Sequence, residues 1–469
     1  MNRTATPVVN SVCTMLLLAL ANPTLVSAGT QINNTVIVST GTAAPAGGNY
    51  FLFRSLALQA RHRVVFDAAL SGPSSSGVFL ADGLTTTVIA LGGNPDPTAG
   101  NIGSFVFNPV IARDEVVFNA GTFDSSQAIF RGNGKNTSLV VQDGDAAPGG
   151  GSLVLAGAAV ANSRGDVAYF AQVVGAADTQ GIFRTGPGRT VAIATDNSFV
   201  PTGGTFSFFG DPVINARGQV AFFAGMSGGS ADFGIFRGDG RNTTVIAAAN
   251  QSAPGGGTFV DFGDPVINSQ GQVAVDGAVS NGVSASGEFL GDGTKALAVA
   301  LAGRPAPKGG NYGGLFFQPL LLNDHSQVAF SVNLTGGTSR RGIFRSNGKT
   351  TTAIALQGTP APGTTGIFNS FFDMKMNEDG TIAFIATLTK GAGGVDTTND
   401  TGIWVGTSDA DLQLVVRTGE LVGGNTLVKL SQDLGRLDMN EEGIAWIGEF
   451  PGRSAAIVFS RLPPCKRDR

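Results

Sequence analysis

One polar position recurs along the chain, and its residue types are the ones that could do chemistry. Asp211 and Asp264 each stand in FGDPVIN, Asp373 in FFDMKMN, Asn108 in FNPVI and Gln318 in FQPLL. Brought round a common axis, these side chains would form a partly acidic ring facing a channel. Like charges there would raise one another's pKa or recruit a cation. A plainer role outweighs this one: polar groups beside a proline satisfy a free backbone edge and the water against it.

The rest of the reactive inventory is thin. The two histidines, His62 and His325, lie far apart in sequence, and neither has a second histidine at zinc-ligand spacing. Asp143-Gly144-Asp145 and Gly291-Asp292-Gly293 lack the dense acidic spacing of a calcium loop and read as hairpin turns. No G-x-S-x-G turn and no P-loop occurs, and no helical pattern follows Gly149–Gly151 or Gly255–Gly257. Arg131, Arg184, Arg237 and Arg345 recur at a second fixed place. They read as strand-end solubilising residues or partners between repeats rather than as a basic ring.

A tandem repeat must position all of these. Asn215–Phe222 reads NARGQVAF, and copies run Asn162–Tyr169, Asn268–Val275, Asn323–Phe330 and Asn377–Phe384. Asn440–Trp446 is a shortened copy, and worn copies end at Phe66 and Phe118, which makes eight. The marker residues 66, 118, 169, 222, 275, 330, 384 and 446 are spaced 51 to 62 apart. Within the unit Thr205 to Ala249, apolar runs at Thr205–Ile214, Gln219–Ala224, Gly234–Arg237 and Thr243–Ala249 predict four strands. Asn215 to Gly218 makes the first turn, and Asp239-Gly240 the last. Four short strands in about fifty residues fit a propeller blade, and no segment keeps a helical period.

The ends of the repeat region predict ring closure. Thr35–Ser39 (TVIVS) matches a fourth strand without its blade, while the last unit has a second strand (Ile444–Phe450) and a third (Ala455–Phe459) but no fourth. Pairing the two would close an all-β propeller of eight four-stranded blades and remove its free edges. The variable loops between second and third strands, Asp67–Ser76, Ala224–Phe233 and Thr387–Thr401, then share one face with the APGGG-type loops.

Composition bounds the partners. The chain of 469 residues has 14% charged residues and a net charge of −4, which suits neither disorder nor a nucleic-acid surface. Phenylalanine dominates the aromatics, with 32 Phe against 3 Tyr and 2 Trp, a core-forming preference. Residues 1–28 read as a secretory signal, with Arg3, an apolar run from Val12 to Ala21 and Val26-Ser27-Ala28 as the cleavage site. The propeller then spans 29–462 and a short basic tail 463–469. After cleavage Cys465 is the one cysteine, so no internal disulfide is expected.

The NxxGxxAF signature, carried by Asn162, Gly165, Ala168, Asn215, Gly218, Ala221, Phe222, Asn377, Gly380, Ala383 and Phe384, resembles that of bacterial exported tandem-repeat NxxGxxAF-containing proteins with interchangeable C-terminal anchors. The resemblance covers nearly the whole mature chain and implies a secreted, periplasmic or cell-surface location. It implies no activity, and the sorting segment of that group has no counterpart here. The reading is a non-enzymatic monomeric module that binds a glycan or a protein, with no cofactor beyond a cation in the channel. A propeller-type polysaccharide lyase or glycoside hydrolase, and a structural surface component, are the alternatives.

Overall fold

The computed structural model describes residues 32–463 except 46, 94, 97–99, 123–125 and 434, and the backbone alone at 95–96, 100–101, 104 and 315–318. Residues 1–28, expected to be a signal, and Cys465 lie outside the described residues. The remainder is an eight-bladed β-propeller of antiparallel four-stranded sheets: blade 1, 50–91; blade 2, 100–142; blade 3, 152–195; blade 4, 205–248; blade 5, 258–301; blade 6, 311–356; blade 7, 368–417; and blade 8, 429–461 with 33–39. The first strands of successive blades touch one another round a full circle and form the inner ring.

The closure expected from the sequence is present. Asn33–Ser39 pairs antiparallel with Ser454–Arg461, from Asn33 opposite Arg461 to Ser39 opposite Ala456. Chain start and chain end therefore build one sheet.

Each blade is apolar on both faces and cannot bury them alone, so the cores lie between blades. Among the described residues there are eight apolar clusters, one in each seam. In the seam between blades 4 and 5, Ala221 and Ile235 meet Phe259, Val275 and Phe289. The marker phenylalanine stacks across its own sheet, as Phe222 does on Phe236 with ring centroids 5.9 Å apart. It is fully buried, and truncating such a ring to alanine costs about 3–5 kcal/mol.

The NxxG turn has a second use that single-repeat reasoning missed. Asn215 Oδ1 accepts from the amides of Arg217 and Gln219 at 3.0 and 2.9 Å, which closes the turn as expected. Its Nδ2 donates across the seam to the main-chain carbonyl of Asn268, the same residue of the next blade, at 2.9 Å. Asn162 reaches Asn215, Asn268 reaches Asn323, and Asn323 reaches Asn377 in the same way. A second link runs beside these rungs. Arg184, Arg237 and Arg345 each donate from Nη1 to the carbonyl of the turn glycine in the next blade, Gly218, Gly271 and Gly380. The recurrent arginine is therefore an inter-blade strap in three blades, whereas Arg131 of blade 2 lies 3.8 Å from Glu115 of its own blade.

Two boundaries differ from the sequence reading. The first strand of blade 4 is not continuous over Thr205–Ile214 but breaks into Thr205–Phe209 and Val213–Ile214. Pro212 has no N–H to give the ladder, and blade 5 breaks in the same way around Pro265. The second strands run further than expected, to Leu70 in blade 1 and Ser227 in blade 4, because their ends stay paired with the first strand. The loops after them are correspondingly shorter.

Candidate functional site at the inner ring

The break in the first strand decides where the recurrent acidic residue goes. Asp211 and Asp264 sit in the interruption just before proline, and both are exposed. Asp211 lies against Gly157 of blade 3, where a Cβ would come within 2.9 Å of its Oδ1. In blade 7 the strand runs unbroken over Phe368–Met376, as the first strands of blades 2 and 6 do through their prolines, and Asp373 is only 1% exposed. Asn108, at φ +55°, is half-buried, and its side-chain amide lies 3.5 Å from the carbonyl of Ala159. Gln318 lies within the first strand of blade 6, Asn311–Leu322.

The five residues therefore occupy equivalent places without forming one charge cluster. The charges acting on Asp373 come from Lys375 on its own strand and Asp438 of blade 8. Burial pushes its pKa up to about 6, against the pull of Lys375 and of the nearby Gly435 amide, and Asp438 adds to the rise. Neither of its carboxylate oxygens closes a well-formed hydrogen bond among the described residues, although the amides of Gly435 and Met374 lie close. Burial likewise raises Asp438, whose Oδ2 accepts from the amide of Leu58 in blade 1 at 2.7 Å. Asp264 acts instead on Asp276 in its own blade.

Asp276 belongs to a carboxyl pair that sequence reasoning missed. It stands directly opposite Glu288 on neighbouring strands of blade 5. Blade 4 has Phe223 opposite Ile235 at this place, and blade 7 has Ile385 opposite Ile403. Glu288 is 2% exposed, and burial holds its pKa well above the carboxylate range, with the charge of Asp276 pushing the same way. Burial also raises Asp276, and Asp264 and Asp261 add to it. Asp276 Oδ1 and Glu288 Oε2 have no partner among the described residues. The signal was a break in the repeat's own pattern, acid replacing Phe and Ile, visible only once strand register aligns the blades.

In blade 1 the equivalent acid, Asp67, is better satisfied. The backbone amide and hydroxyl of Ser55 donate to its Oδ1 at 2.9 and 2.6 Å, and Arg54 lies 3.5 Å from Oδ2. Burial still raises its pKa. The turn aspartates also have structural partners. Asp143 accepts from the amides of Gln127 and Leu155, and Asp292 from those of Thr294 and Lys295. His62 packs on Phe459 at 4.7 Å, and His325 Nδ1 meets the carbonyl of Glu378 at 2.8 Å. Among the described residues, no three His, Cys, Asp or Glu side chains stand close enough together to hold a metal ion.

The mouth of the ring on the side of the second-to-third-strand loops has a different character. Strand register puts Leu52, Phe105, Val154 and Phe208 at one equivalent place in blades 1 to 4, and all four are exposed, Phe105 by 63%. The same place carries Asp261 in blade 5, Ser370 in blade 7 and Lys429 in blade 8. Blades 1 to 4 are thus apolar at this place, and blades 5, 7 and 8 polar. A cleft of about 450 Å³ opens at the apolar blades, lined by Arg54, Phe105, Val106, Phe107, Gly121 and Gln127.

A family model described as a family of unknown function (DUF7453) matches residues 19–288 and 277–454. No curated protein matches the sequence. Among solved structures, the β-propeller domain of the Trilobed protease from Pyrococcus furiosus is 7% identical with a TM-score of 0.42, over 79% of this chain and 100% of that one. A puromycin-hydrolyzing peptidase of Mycobacterium tuberculosis is 14% identical with a TM-score of 0.37, over 77% of this chain and 54% of that one. YCF48 from Cyanidioschyzon merolae is 14% identical with a TM-score of 0.34, over 73% and 93%. None is near enough in sequence or superposition to bear on what this chain does. Among the described residues no helix is long and apolar enough to cross a membrane.

Proposed function

The chain belongs to this family of unknown function, DUF7453, and we propose that it is an exported, non-catalytic binding module. Its ligand is an apolar segment of a protein, seated at the mouth of the inner ring. The observation that carries this reading is the run of exposed Leu52, Phe105, Val154 and Phe208 at one register position in four consecutive blades. Exposed apolar residues scattered singly need no explanation, but their recurrence at one register position in four consecutive blades, beside a cleft, supports a contact site. Aliphatic and Phe side chains there favour a protein over a glycan, whose hydroxyls would need polar partners. The acid pair Asp276 and Glu288 is held side by side on neighbouring strands of blade 5, with Glu288 only 2% exposed, which suits packing. Export rests on the N-terminal pattern of charge, apolar run and small residues.

The test uses the purified chain against a displayed library of extended peptides and a panel of polysaccharides, reading both retention and product release. Peptide binding should weaken at least tenfold in the double variant Leu52→Ser/Phe105→Ser, with the melting temperature unchanged. Retention or cleavage of a polysaccharide that ignores the double variant would overturn the proposal.

A further inference from the structure

Two of the links described above are absent together at the seam between blades 7 and 8. Among the described residues its turn asparagine makes no rung and no arginine stands at the strap position, although Asn34 Nδ2 of blade 8 donates to the carbonyl of Val415 in blade 7 at 3.1 Å. Strand register puts Val405 where Arg184, Arg237 and Arg345 stand in their blades. The turn it faces closes from Asn440 to Gly443, one residue shorter than in blades 3 to 7, where it closes over five residues, as from Asn377 to Thr381. Seams without the arginine elsewhere keep a rung: Asn268 links blade 5 to blade 6, and Gln59 Nε2 links blade 1 to blade 2 through the carbonyl of Arg113 at 2.9 Å.

A cleft of about 360 Å³ opens at this seam, on the face of the NxxG turns and away from the apolar mouth. Asn377, Val405, Asp411 and Glu441 are among its walls. Asn377 is 5% exposed, and its Oδ1 is used within its own turn by the amide of Thr381 at 2.9 Å. Its Nδ2, the atom that forms the rung in blades 3 to 6, has no partner among the described residues. Asp411, in the turn after the third strand, accepts at Oδ1 from the amides of Thr407 and Ser408 at 2.9 and 2.7 Å and at Oδ2 from the Thr407 hydroxyl, and its negative charge also acts on Arg345. Glu441 is exposed and accepts from the amide of Glu378 at 3.2 Å.

We propose that this cleft binds a guanidinium group, the chemistry of an arginine side chain supplied from outside the repeat pattern. The planar fork of donors would meet Glu441 and Asp411 as well as the carbonyls of the short turn, as the internal straps do in neighbouring seams. The free Nδ2 of Asn377 donates to the main-chain carbonyl of the same arginine. A ligand with both a cation and an acceptor satisfies both halves of the wall, whereas a bare ammonium or an anion satisfies one. The source is either an arginine of a partner protein or Arg467 and Arg469 of this chain's own tail.

Calorimetric titration of the full chain with N-acetyl-arginine amide, and with its uncharged citrulline counterpart, tests this. Saturable binding of the arginine amide, at least tenfold tighter than the citrulline amide, is expected. Glu441→Gln, an exposed change, should weaken it about tenfold by removing one charge-assisted contact. Val405→Arg should abolish it by installing the missing strap from within, and should raise the melting temperature. Tighter binding in Arg467→Ser/Arg469→Ser than in the parent would assign the cleft to the tail, and equal binding would assign it to a partner. Absence of saturable binding in both parent and tail variant, or binding indifferent to Glu441→Gln and Val405→Arg, would overturn the proposal.

Discussion

The guanidinium of Arg237 donates to the carbonyl of Gly271, a glycine at φ +85° in the turn of the next blade. The positive φ turns that carbonyl toward the seam, and burial lowers the arginine's pKa without discharging it. Replacing Arg237 by Met keeps the apolar stem and removes the donor. The loss should be about 1–3 kcal/mol, the range for a hydrogen bond to a charged group. A urea midpoint that does not move in Arg237→Met would make the strap a passive contact.

Gly218 tests the turn itself. It sits at φ +80°, and a Cβ would stand 2.8 Å from Arg184 Nη1 and 3.1 Å from Asp166 Oδ2. Gly218→Val should cost about 1–3 kcal/mol from the left-handed backbone, with a further loss from displacing the strap. Ligand binding at the mouth, on the opposite face, should survive at temperatures where the variant is folded. Normal stability together with lost binding would give the motif a functional role instead.

Ring closure depends on Asn33–Ser39. Deleting this strand leaves Ser454–Arg461 as an exposed edge and opens the core that Val38 shares with Phe53 and Ile457. A sharp fall in melting temperature and concentration-dependent association should follow, since a bare edge templates pairing. A truncated chain that melts like the parent and stays monomeric would show that closure contributes nothing.

The buried carboxyls make stability depend on pH. Asp373 has its folded pKa raised to about 6, so its contribution is fully present below the ordinary carboxyl range and is lost as pH rises through about 6. Its rise from the ordinary 3.8 to about 6 corresponds at most to about 3 kcal/mol. Glu288 and Asp276 act in the same direction. Melting temperature should therefore fall from mildly acidic to neutral pH. Asp373→Asn should flatten that fall, and an identical slope in the variant would exclude Asp373 as its source.

Glu288→Ile installs the residue that blades 4 and 7 carry at the same place, Ile235 and Ile403. Removing a buried, unpartnered carboxyl should stabilise the protein by about 1–3 kcal/mol at neutral pH. A thermal scan that shows a loss of stability would mean that Glu288 has a partner that offsets its burial.

Sequence alone determined the architecture, because local rules repeated eight times leave few ways to fold. Asn215 and Gly218 specify a turn by hydrogen-bond geometry and positive φ, and Asp239-Gly240 specifies a hairpin. The orphan strand at 35–39 and the missing strand after 459 specify closure. Tertiary structure alone decided what the repeated positions do, because that depends on register and on the neighbouring blade. Asp211 and Asp373 occupy the same place in the repeat, yet in blade 4 the first strand breaks there and leaves the carboxylate exposed, while in blade 7 it runs on and Asp373 is buried. The second function of Asn215, reaching Asn268 about fifty residues away, was likewise invisible within one copy. The empty strap position at Val405 breaks no local rule, since valine fits a strand, and the acid pair of Asp276 and Glu288 departs from the repeat without showing that the two face each other. Both become legible only when strand register and the ring set neighbours side by side.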